Sequence, residues 1–547
     1  MKKKSWLVII GIIVLAGFLR FWQLGTIPAG FHADEVAYGY NAYSILKTGR
    51  DEYGKPFPIV LRSFGDYKAA VDAYLAIPFI YLGGLHEWTV RAPSAVFGIL
   101  FILLTYVLVL RLSKNKRLSM LAMAIAAISP IGILLSRVQS DPLICATFFF
   151  FAVYCWLLWL DTRKARFIAL MGISMFLSFF TYTITRLFAI PFFLLIGFTF
   201  WQKFDTQARR VFLAIFMVVI MVVIGLYLSP AGIWFSQVSV FSSQNVQLPL
   251  DEEIREDGVQ AVPLLMTRMI HNKVIAYGQY FLKNYTDYLS FEFLFTQAKE
   301  PLREQIPHLG VMMLADVPFL LVGIYMAFRK RLSYGIFAVL WVLSVPAVLS
   351  IASAETPNVH RFILAMIPMY LLTALGMVSV YEMLNARRRF GFIILLVFVF
   401  AVNLMYNMHQ LMIHQPIHNP TYRNDEYTRL VKALKPLYAT YDIIVSQQIL
   451  EHILFYFPVD PTWYQALGSP RDTVGGTFDK FFFVTEACPS RRTDSGIKAL
   501  TAKRILYVDK AECMMAADDK VIDTVRLSNS LSAYYLVEKM DSTHPSQ

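Results

Sequence analysis

Long apolar runs separated by short polar segments dominate the pattern of hydrophobic positions along this chain. Runs of about 16–20 residues that are nearly free of charge have the length of a membrane-spanning helix. The pattern predicts eleven spans, at residues 6–22, 90–110, 118–136, 142–160, 166–184, 187–202, 211–228, 311–328, 335–352, 361–381 and 390–407. The predicted fold class is an α-helical polytopic membrane protein. An odd number of spans places its two termini on opposite sides of the bilayer.

Two further apolar stretches are predicted to lie on the membrane surface. Ala69–Leu85 contains Asp72 and Pro78, and counting it as a span would reverse the charge pattern of every later loop. We therefore expect a helix on the outer interface. Lys273–Phe295 is rich in Tyr and Phe, which favour the headgroup region. The first apolar run could instead be a cleaved signal peptide, but the absence of a small-residue cleavage motif favours a retained helix.

The pattern changes after residue 407, and this change predicts two domains. Residues 1–407 would form the transmembrane domain, with external loops at 23–89 and 229–310, and residues 408–547 a small external α/β domain. The tail contains runs typical of strands, at Tyr441–Ser446, Lys480–Thr485, Arg504–Val508 and Val521–Arg526. Cys488 and Cys513 lie in this tail, where a disulfide and two free thiols are both compatible with the sequence. We expect an accessory role for it.

Composition agrees with a membrane protein, since 57% of the 547 residues are hydrophobic and 15% are aromatic. The net charge of +12 could indicate nucleic-acid binding, but the cations are grouped at alternate helix ends. These basic clusters are Lys2–Lys4, Arg111–Arg117, Arg163–Arg166, Lys203–Arg210, Arg329–Arg331 and Arg387–Arg389. The positive-inside rule places them and the N-terminus in the cytoplasm. The prediction is a plasma-membrane protein with an extracytoplasmic C-terminus and no nucleic-acid partner.

Two adjacent carboxylates, Asp34 and Glu35, follow the first predicted span and begin a large external loop. Acids at a membrane surface that a lipid can reach indicate a functional site. A carboxylate there can act as a general base on an acceptor hydroxyl or amine, so both are candidate catalytic residues, Asp34 first. The alternative is that one of them caps a helix that starts near Val36.

Cations at other outer helix ends are candidate ligands of a phosphate. Lys68 precedes the interfacial segment, and Arg361 is the only cation of its short loop. A guanidinium grips phosphate oxygens with two hydrogen bonds. Arg137 could bind an anionic leaving group, and Asp141 an acceptor or a metal. Alternatively, Arg137 and Asp141 pair with each other, or Asp141 caps the helix that begins at Pro142.

A membrane transporter or lipid flippase is the alternative class of function. That class places ionisable groups near the bilayer midplane inside helices and often shows internal repeats. In this chain the ionisable residues that are candidates for function lie at outer helix ends, and no internal sequence repeat is visible. The signatures of soluble enzymes are also absent from the sequence, among them a phosphate-binding glycine loop, HExxH and GxSxG.

An ordered set of segments resembles the GT-C glycosyltransferases, in the branch of the protein O-mannosyltransferases and aminoarabinose transferases (family thirty-nine). The matching segments are His32–Glu35, Ala42–Gly49, Asp51–Gly54, Tyr67-Lys68, Val90–Ala95, Pro318–Gly323 and His360–Pro368. The family often has Lys-Pro-Pro before the interfacial helix, whereas Lys68 is followed here by Ala69-Ala70.

The resemblance implies a membrane glycosyltransferase that moves a sugar from a polyprenyl-phosphate donor to an acceptor on the outer face, with inversion. The acceptor would be a protein, a lipid or a glycan. It carries the catalytic acid onto Asp34 and phosphate contacts onto Lys68 and Arg361. It implies no definite cofactor and leaves a divalent metal open.

Overall fold

The computed structural model describes residues 3–63, 66–228, 239–242, 244–352, 355–469, 476–491 and 504–539. The chain divides into two compact units. The first contains residues 1–22 and 94–410, and the second contains residues 23–93 and 411–547. The first external loop and the tail therefore lie in one unit. The predicted domain boundary at residue 407 stays a prediction.

The first unit is helical. Its helices are Lys3–Phe21, the part of Glu87–Ser113 from Ser94 onward, Lys116–Ile128, Pro130–Arg137, Asp141–Thr162, Ala165–Thr181, Ile184–Phe200, Thr206–Leu228, Gln244–Val259, Leu264–Ile270, Lys273–Tyr288, Val317–Arg329, Ser333–Leu349, Val359–Phe362, Met366–Met383 and Ala386–His409. Each predicted span falls on one of these helices or on a broken pair of them.

Fewer helices than predicted spans are long enough to cross a bilayer alone. Six of the described helices have the required length and composition, or seven if one bent pair is a single span. That pair is Lys116–Ile128 and Pro130–Arg137, with a bend of 54°. Pro130 has no N–H to continue the helix, and Ser129 before it is extended. The predicted unbroken helix over 118–136 is wrong at this point, and the count of eleven stays a prediction.

The helix Met366–Met383 is central to the first unit, because its residues from Met366 to Ser379 are all buried. It meets the helix Val317–Arg329 backbone to backbone. A Cβ at Gly323 would lie 1.9 Å from the carbonyl oxygen of Leu372, and one at Gly376 would lie 1.9 Å from that of Phe319. Small residues permit this close approach of membrane helices.

The second unit combines helices with two sheets. Its helices are Ala33–Thr48, Val71–Gly83, the start of Glu87–Ser113, Gln415–His418, Asp425–Leu437, Leu450–Tyr456 and Pro461–Ala466. Strands β1 (Val60–Ser63) and β2 (Asp66–Ala69) form an antiparallel hairpin. Val71–Gly83 agrees with the predicted interfacial helix in position and has 13 residues.

The tail forms the predicted α/β arrangement with two strands more than expected. Its strands are β3 (Ile443–Gln447), β4 (Gly476–Phe478), β5 (Phe481–Val484), β6 (Ile505–Lys510), β7 (Asp519–Arg526) and β8 (Ser532–Lys539). The sheet order is β4-β5-β3-β6-β8-β7. β3 is parallel to β5 and β6, and the other pairs are antiparallel. Cys488 and Cys513 are joined in a disulfide.

The first external loop and the tail share a hydrophobic core. Tyr40, on the helix Ala33–Thr48, belongs to the same buried cluster as Ile444 and Leu506 of the sheet. Its hydroxyl donates to the carbonyl of Val459 over 3.2 Å. Gly39 permits this packing, because a Cβ there would lie 2.7 Å from the ring of Phe455. The sequence did not indicate that the loop and tail fold together.

Candidate active site

His32 caps the helix that carries both carboxylates. This helix begins at Ala33, and the His32 Nδ1 atom accepts a hydrogen bond from the Asp34 N–H over 3.2 Å. The Glu35 Oε2 atom accepts from the His32 N–H over 3.1 Å, which completes a capping box. The helix starts at Ala33, so the N-cap is His32 and neither acid is the N-cap of a helix starting near Val36, as the alternative expected. Glu35 takes part in the cap as the third residue of the helix.

Asp34 is the more accessible of the two carboxylates, and its partner is Lys68. The Lys68 ammonium forms an ion pair with the Asp34 Oδ1 atom, and 39% of the Asp34 side chain is exposed. The ammonium lies 5.9 Å from the centre of the Tyr38 ring. Lys68 belongs to β2, opposite Leu61 of β1, so the hairpin holds it without the Lys-Pro-Pro turn. The pair joins a reachable carboxylate to a cation at one site.

Glu35, in contrast, is buried between two arginines. Its Oε1 atom accepts from the Arg91 Nε atom over 2.8 Å, and its Oε2 atom accepts from Arg423 over 2.5 Å. Both guanidinium groups are buried, and 3% of the Glu35 side chain is exposed. A buried carboxylate with charged partners and a capping bond already has its oxygens occupied. The geometry gives Glu35 a role in holding the site together.

The segment before the helix is fixed by the same arginines. Arg91 also donates to the carbonyls of Leu24, Pro28 and Gly30 over 3.2, 3.1 and 2.7 Å. Gly30 has φ +79°, and a Cβ there would lie 2.5 Å from the Arg423 carbonyl oxygen. This position therefore requires glycine, both for the backbone conformation and for the contact.

Sequence analysis missed the part of the tail that reaches this site. Arg423 is separated from Glu35 by 388 positions, and no local motif distinguishes it. The neighbouring Asn424 accepts the Ala33 N–H over 3.1 Å, and the His452 ring lies 3.2 Å from the Phe31 carbonyl oxygen. Only the folded chain brings these residues to the carboxylates.

In the first unit, Arg361 lies among tyrosines. Its guanidinium is hydrogen-bonded to the hydroxyls of Tyr182 and Tyr288. The Tyr288 oxygen also accepts the Asn358 N–H over 3.0 Å. Burial raises the pKa of Tyr288 to about 12, so this phenol stays protonated near neutral pH. Because arginine only donates, each Tyr oxygen is the acceptor and keeps its O–H as a donor.

Arg137 contacts the end of the first helix of the unit. Its guanidinium is buried and donates to the carbonyls of Leu19 and Trp22 over 2.7 and 2.6 Å. These carbonyls belong to the end of the helix Lys3–Phe21, where a cation stabilises the terminus. Arg20 does the same for the helix Lys116–Ile128, since it donates to the Ala127 carbonyl over 2.9 Å. These contacts give Arg137 a role in helix capping, and its suggested role in binding an anionic leaving group stays a prediction.

Asp141 is the first residue of the helix Asp141–Thr162. Its Oδ1 atom accepts from the Gln139 side chain over 2.9 Å, and its charge acts on Tyr182. Among the described residues no group of three or more His, Cys, Asp or Glu side chains is arranged to hold a metal ion. The suggested acceptor or metal role of Asp141 stays a prediction.

Comparison with known proteins identifies the class of the chain. Residues 10–239 match the family model of dolichyl-phosphate-mannose-protein mannosyltransferase. The crystal structure of ArnT from Cupriavidus metallidurans in the apo state matches with 12% identity, a TM-score of 0.51 and coverage of 100% of both chains. ArnT bound to undecaprenyl phosphate matches with 11% identity and a TM-score of 0.50, over 98% of this chain and 99% of that chain. No curated protein sequence matches.

The family match covers the segment with Asp34, Glu35 and Lys68, and the likeness in fold extends over the whole chain. The chain has the fold of ArnT, and its residues 10–239 resemble the mannosyltransferase family. The predicted fold class is thereby confirmed, and the described apolar helices support a multi-pass membrane protein. The family match supports the predicted enzyme class over the transporter or flippase alternative.

The two clusters can do different chemistry. Asp34 is an accessible carboxylate beside an ammonium, which suits proton transfer next to an anion. Arg361 with its two tyrosines offers several hydrogen-bond donors and one fixed positive charge, which suits the binding of phosphate oxygens. The first cluster belongs to the second unit and the second cluster to the first unit.

Proposed function

We propose that this chain is a glycosyltransferase that moves a sugar from a polyprenyl-phosphate-linked donor to an acceptor on the outer face of the membrane, with inversion at the anomeric carbon. Asp34 would be the general base. The observation that carries the proposal is the contrast between neighbours, since Asp34 is accessible beside Lys68 while Glu35 is buried between two arginines. Of the two acids, Asp34 alone is arranged to exchange a proton with a bound molecule.

The base step follows from the charges around Asp34. An ionised carboxylate accepts the proton of the acceptor hydroxyl or amine while that atom forms a bond to the anomeric carbon. Lys68 favours the ionised form of Asp34 because the two are paired. When a donor phosphate binds, Lys68 gains a second anionic partner, and one Asp34 oxygen becomes available to the acceptor. Attack from the side opposite the leaving group inverts the anomeric carbon.

The leaving group needs charge stabilisation more than it needs a proton. As the bond between the anomeric carbon and the phosphate oxygen breaks, the lipid phosphate takes the electron pair and gains negative charge. Preorganised donors lower the energy of such a developing charge. Lys68 and Arg361 are the cations we assign to it, with the hydroxyls of Tyr182 and Tyr288 beside Arg361. Support for a lipid phosphate comes from ArnT, whose fold is similar and whose structure holds undecaprenyl phosphate.

Removal of the base tests this function. Mass analysis of glycans and glycoproteins from cells with and without the chain first identifies the transferred sugar. Purified Asp34→Asn is then expected to transfer it roughly 10²–10⁴-fold more slowly than wild type, because the amide cannot accept the proton. Turnover of the lipid-linked donor is the measurement.

Asp251→Asn is the matched control, since Asp251 is an exposed acid on the helix Gln244–Val259. It should transfer sugar at the wild-type rate. A folded Asp34→Asn variant with wild-type turnover would refute the assignment of the base. The absence of any chain-dependent glycan would refute the proposed reaction as a whole.

A further inference from the structure

Asn358 makes several of the hydrogen bonds around Arg361. It is the buried N-cap of the short helix Val359–Phe362 that carries this arginine. The Asn358 Oδ1 atom accepts the Arg361 N–H over 3.1 Å, and the Nδ2 atom donates to the Glu355 Oε2 atom over 3.1 Å. The Asn358 N–H donates to the Tyr288 oxygen over 3.0 Å. One residue therefore contacts both Arg361 and its tyrosine partner.

These contacts form a closed ring of three residues. The Arg361 guanidinium is hydrogen-bonded to the Tyr288 hydroxyl, while Asn358 binds the Arg361 backbone and the Tyr288 oxygen. Because the Tyr288 oxygen accepts from two N–H donors, its O–H is left to donate to another acceptor. Such bonds behind a binding group fix its direction before a ligand arrives. The ring therefore sets where the guanidinium and the phenol O–H point.

The type of residue at position 358 matches this arrangement. Aspartate is an equally good N-cap, but its side chain has no N–H to donate to Glu355 and would place a second carboxylate against it. Glu355 is also held by Arg303, whose Nη1 atom lies 3.2 Å from the Glu355 Oε1 atom. The Asn358 amide is thus held at its oxygen and at its nitrogen, which keeps the cap in one orientation.

We propose that Asn358 is a positioning residue for the donor phosphate, because it holds Arg361 and Tyr288 in the arrangement that binds phosphate oxygens. This inference rests on the proposed role of Arg361 as a phosphate ligand. Without the Asn358 side chain, Arg361 occupies the binding arrangement for only part of the time. The apparent affinity for the lipid phosphate falls by that fraction.

Binding of undecaprenyl phosphate to the purified full-length protein, measured by titration calorimetry in detergent, tests this inference. Asn358→Ala should weaken binding roughly three- to tenfold, the factor by which loss of an N-cap shifts a local equilibrium. Undecaprenol lacks the phosphate and should bind to this variant as it binds to wild type. Asn358→Ser restores a cap and should recover most of the affinity for the phosphate lipid.

Asn358→Gly serves if Asn358→Ala folds poorly. Glycine at an N-cap costs little stability, but it lacks the side chain that holds Arg361, so the same loss of affinity is expected. Wild-type affinity for undecaprenyl phosphate in both variants would overturn the inference. An equal loss of affinity for undecaprenol would also overturn it, since that result indicates general damage to the lipid site.

Asn385→Ala is the matched control. Asn385 caps the helix Ala386–His409 of the same unit, and its Oδ1 atom accepts the Arg388 N–H over 3.1 Å. This variant loses the same kind of cap, so it should melt at a lower temperature than wild type. Its affinity for undecaprenyl phosphate should stay unchanged, and a loss as large as that of Asn358→Ala would contradict a specific role for Asn358.

Arg361→Met separates this inference from the proposed function. It removes the guanidinium and should weaken binding of undecaprenyl phosphate at least as much as Asn358→Ala does. If Arg361→Met binds weakly while Asn358→Ala binds like wild type, the positioning role is wrong and the phosphate role of Arg361 stands. Wild-type binding by Arg361→Met would overturn both roles.

Discussion

Neighbouring acids with the same chemistry have different tasks in this chain. Asp34 and Glu35 follow each other on one helix, but one is accessible and the other is enclosed by Arg91 and Arg423. Helix geometry explains the difference, because successive side chains point about 100° apart around the axis. The residue at the capping position turns inward to the backbone, and its neighbour turns toward the hairpin that carries Lys68.

This division of roles gives a prediction for stability. Glu35→Gln keeps an acceptor for the capping box but removes the charge between two buried guanidinium groups. Breaking a buried ion pair costs about 3–5 kcal/mol. The melting temperature of the purified protein should therefore fall clearly. Asp34→Asn removes an accessible charge and should cost about 1 kcal/mol or less.

Activity separates the two variants further. Asp34→Asn should be stable and inactive, and Glu35→Gln unstable, with residual transfer wherever the protein is still folded. A Glu35→Gln variant as stable as wild type but inactive would return Glu35 to the chemistry and contradict its structural role.

At the scale of elements, buried arginines close the ends of helices. Arg137 donates to carbonyls at the end of the helix Lys3–Phe21, and Arg20 donates to the end of Lys116–Ile128. Arg20 lies in the last turn of Lys3–Phe21, and Arg137 lies in the last turn of Pro130–Arg137. Pro130 produces the bend between Lys116–Ile128 and Pro130–Arg137. The sequence predicts that Arg20 and Arg137 lie at the outer ends of helices. It does not predict which carbonyl groups they contact.

Arg137→Met tests this capping role. It leaves two buried carbonyls without their donor, at a cost of about 1–3 kcal/mol for each unsatisfied group. We expect a lower melting temperature and, in the folded fraction, donor binding within about twofold of wild type. Arg387→Met, at an exposed position of a basic cluster, should melt like wild type. Weakened donor binding in Arg137→Met without a loss of stability would support the phosphate role.

At the scale of the whole molecule, local sequence patterns predicted the helices and strands. The arrangement of the site depends instead on contacts between residues that are far apart in the sequence. Each predicted span coincides with one of the described helices or with a broken pair, and strand-like runs located four strands of the tail. Strand β8 was not predicted, although the sequence indicates a strand there, since the run Tyr534–Val537 follows a turn at Asn529-Ser530. The contact of Arg423 with Glu35 joins positions 388 residues apart, and such a pair has no periodic signature.

The tail also contributes directly to the structure around the two carboxylates. It shares a core with the first external loop and supplies Arg423 and Asn424 to the segment around the carboxylates. Deleting residues 420–547 would remove these contacts. Loss of transfer in such a truncation would therefore follow from a damaged site and would not by itself show that the tail binds substrate.

The account depends most on Asp34 working outside the cytoplasm. The native cysteines favour a labelling test, because Cys145 and Cys155 are buried and Cys488 is bonded to Cys513. A single cysteine at Phe57, which is 73% exposed in the same external loop, reports the side on which that loop lies. A cysteine at Lys330, in a basic cluster, reports the opposite side.

A maleimide that cannot cross membranes is added to intact cells that carry one of these variants. Phe57→Cys should be labelled at once, and Lys330→Cys only after the membrane is opened. Labelling of Lys330→Cys in intact cells, with Phe57→Cys protected, would place the proposed base in the cytoplasm and contradict the account.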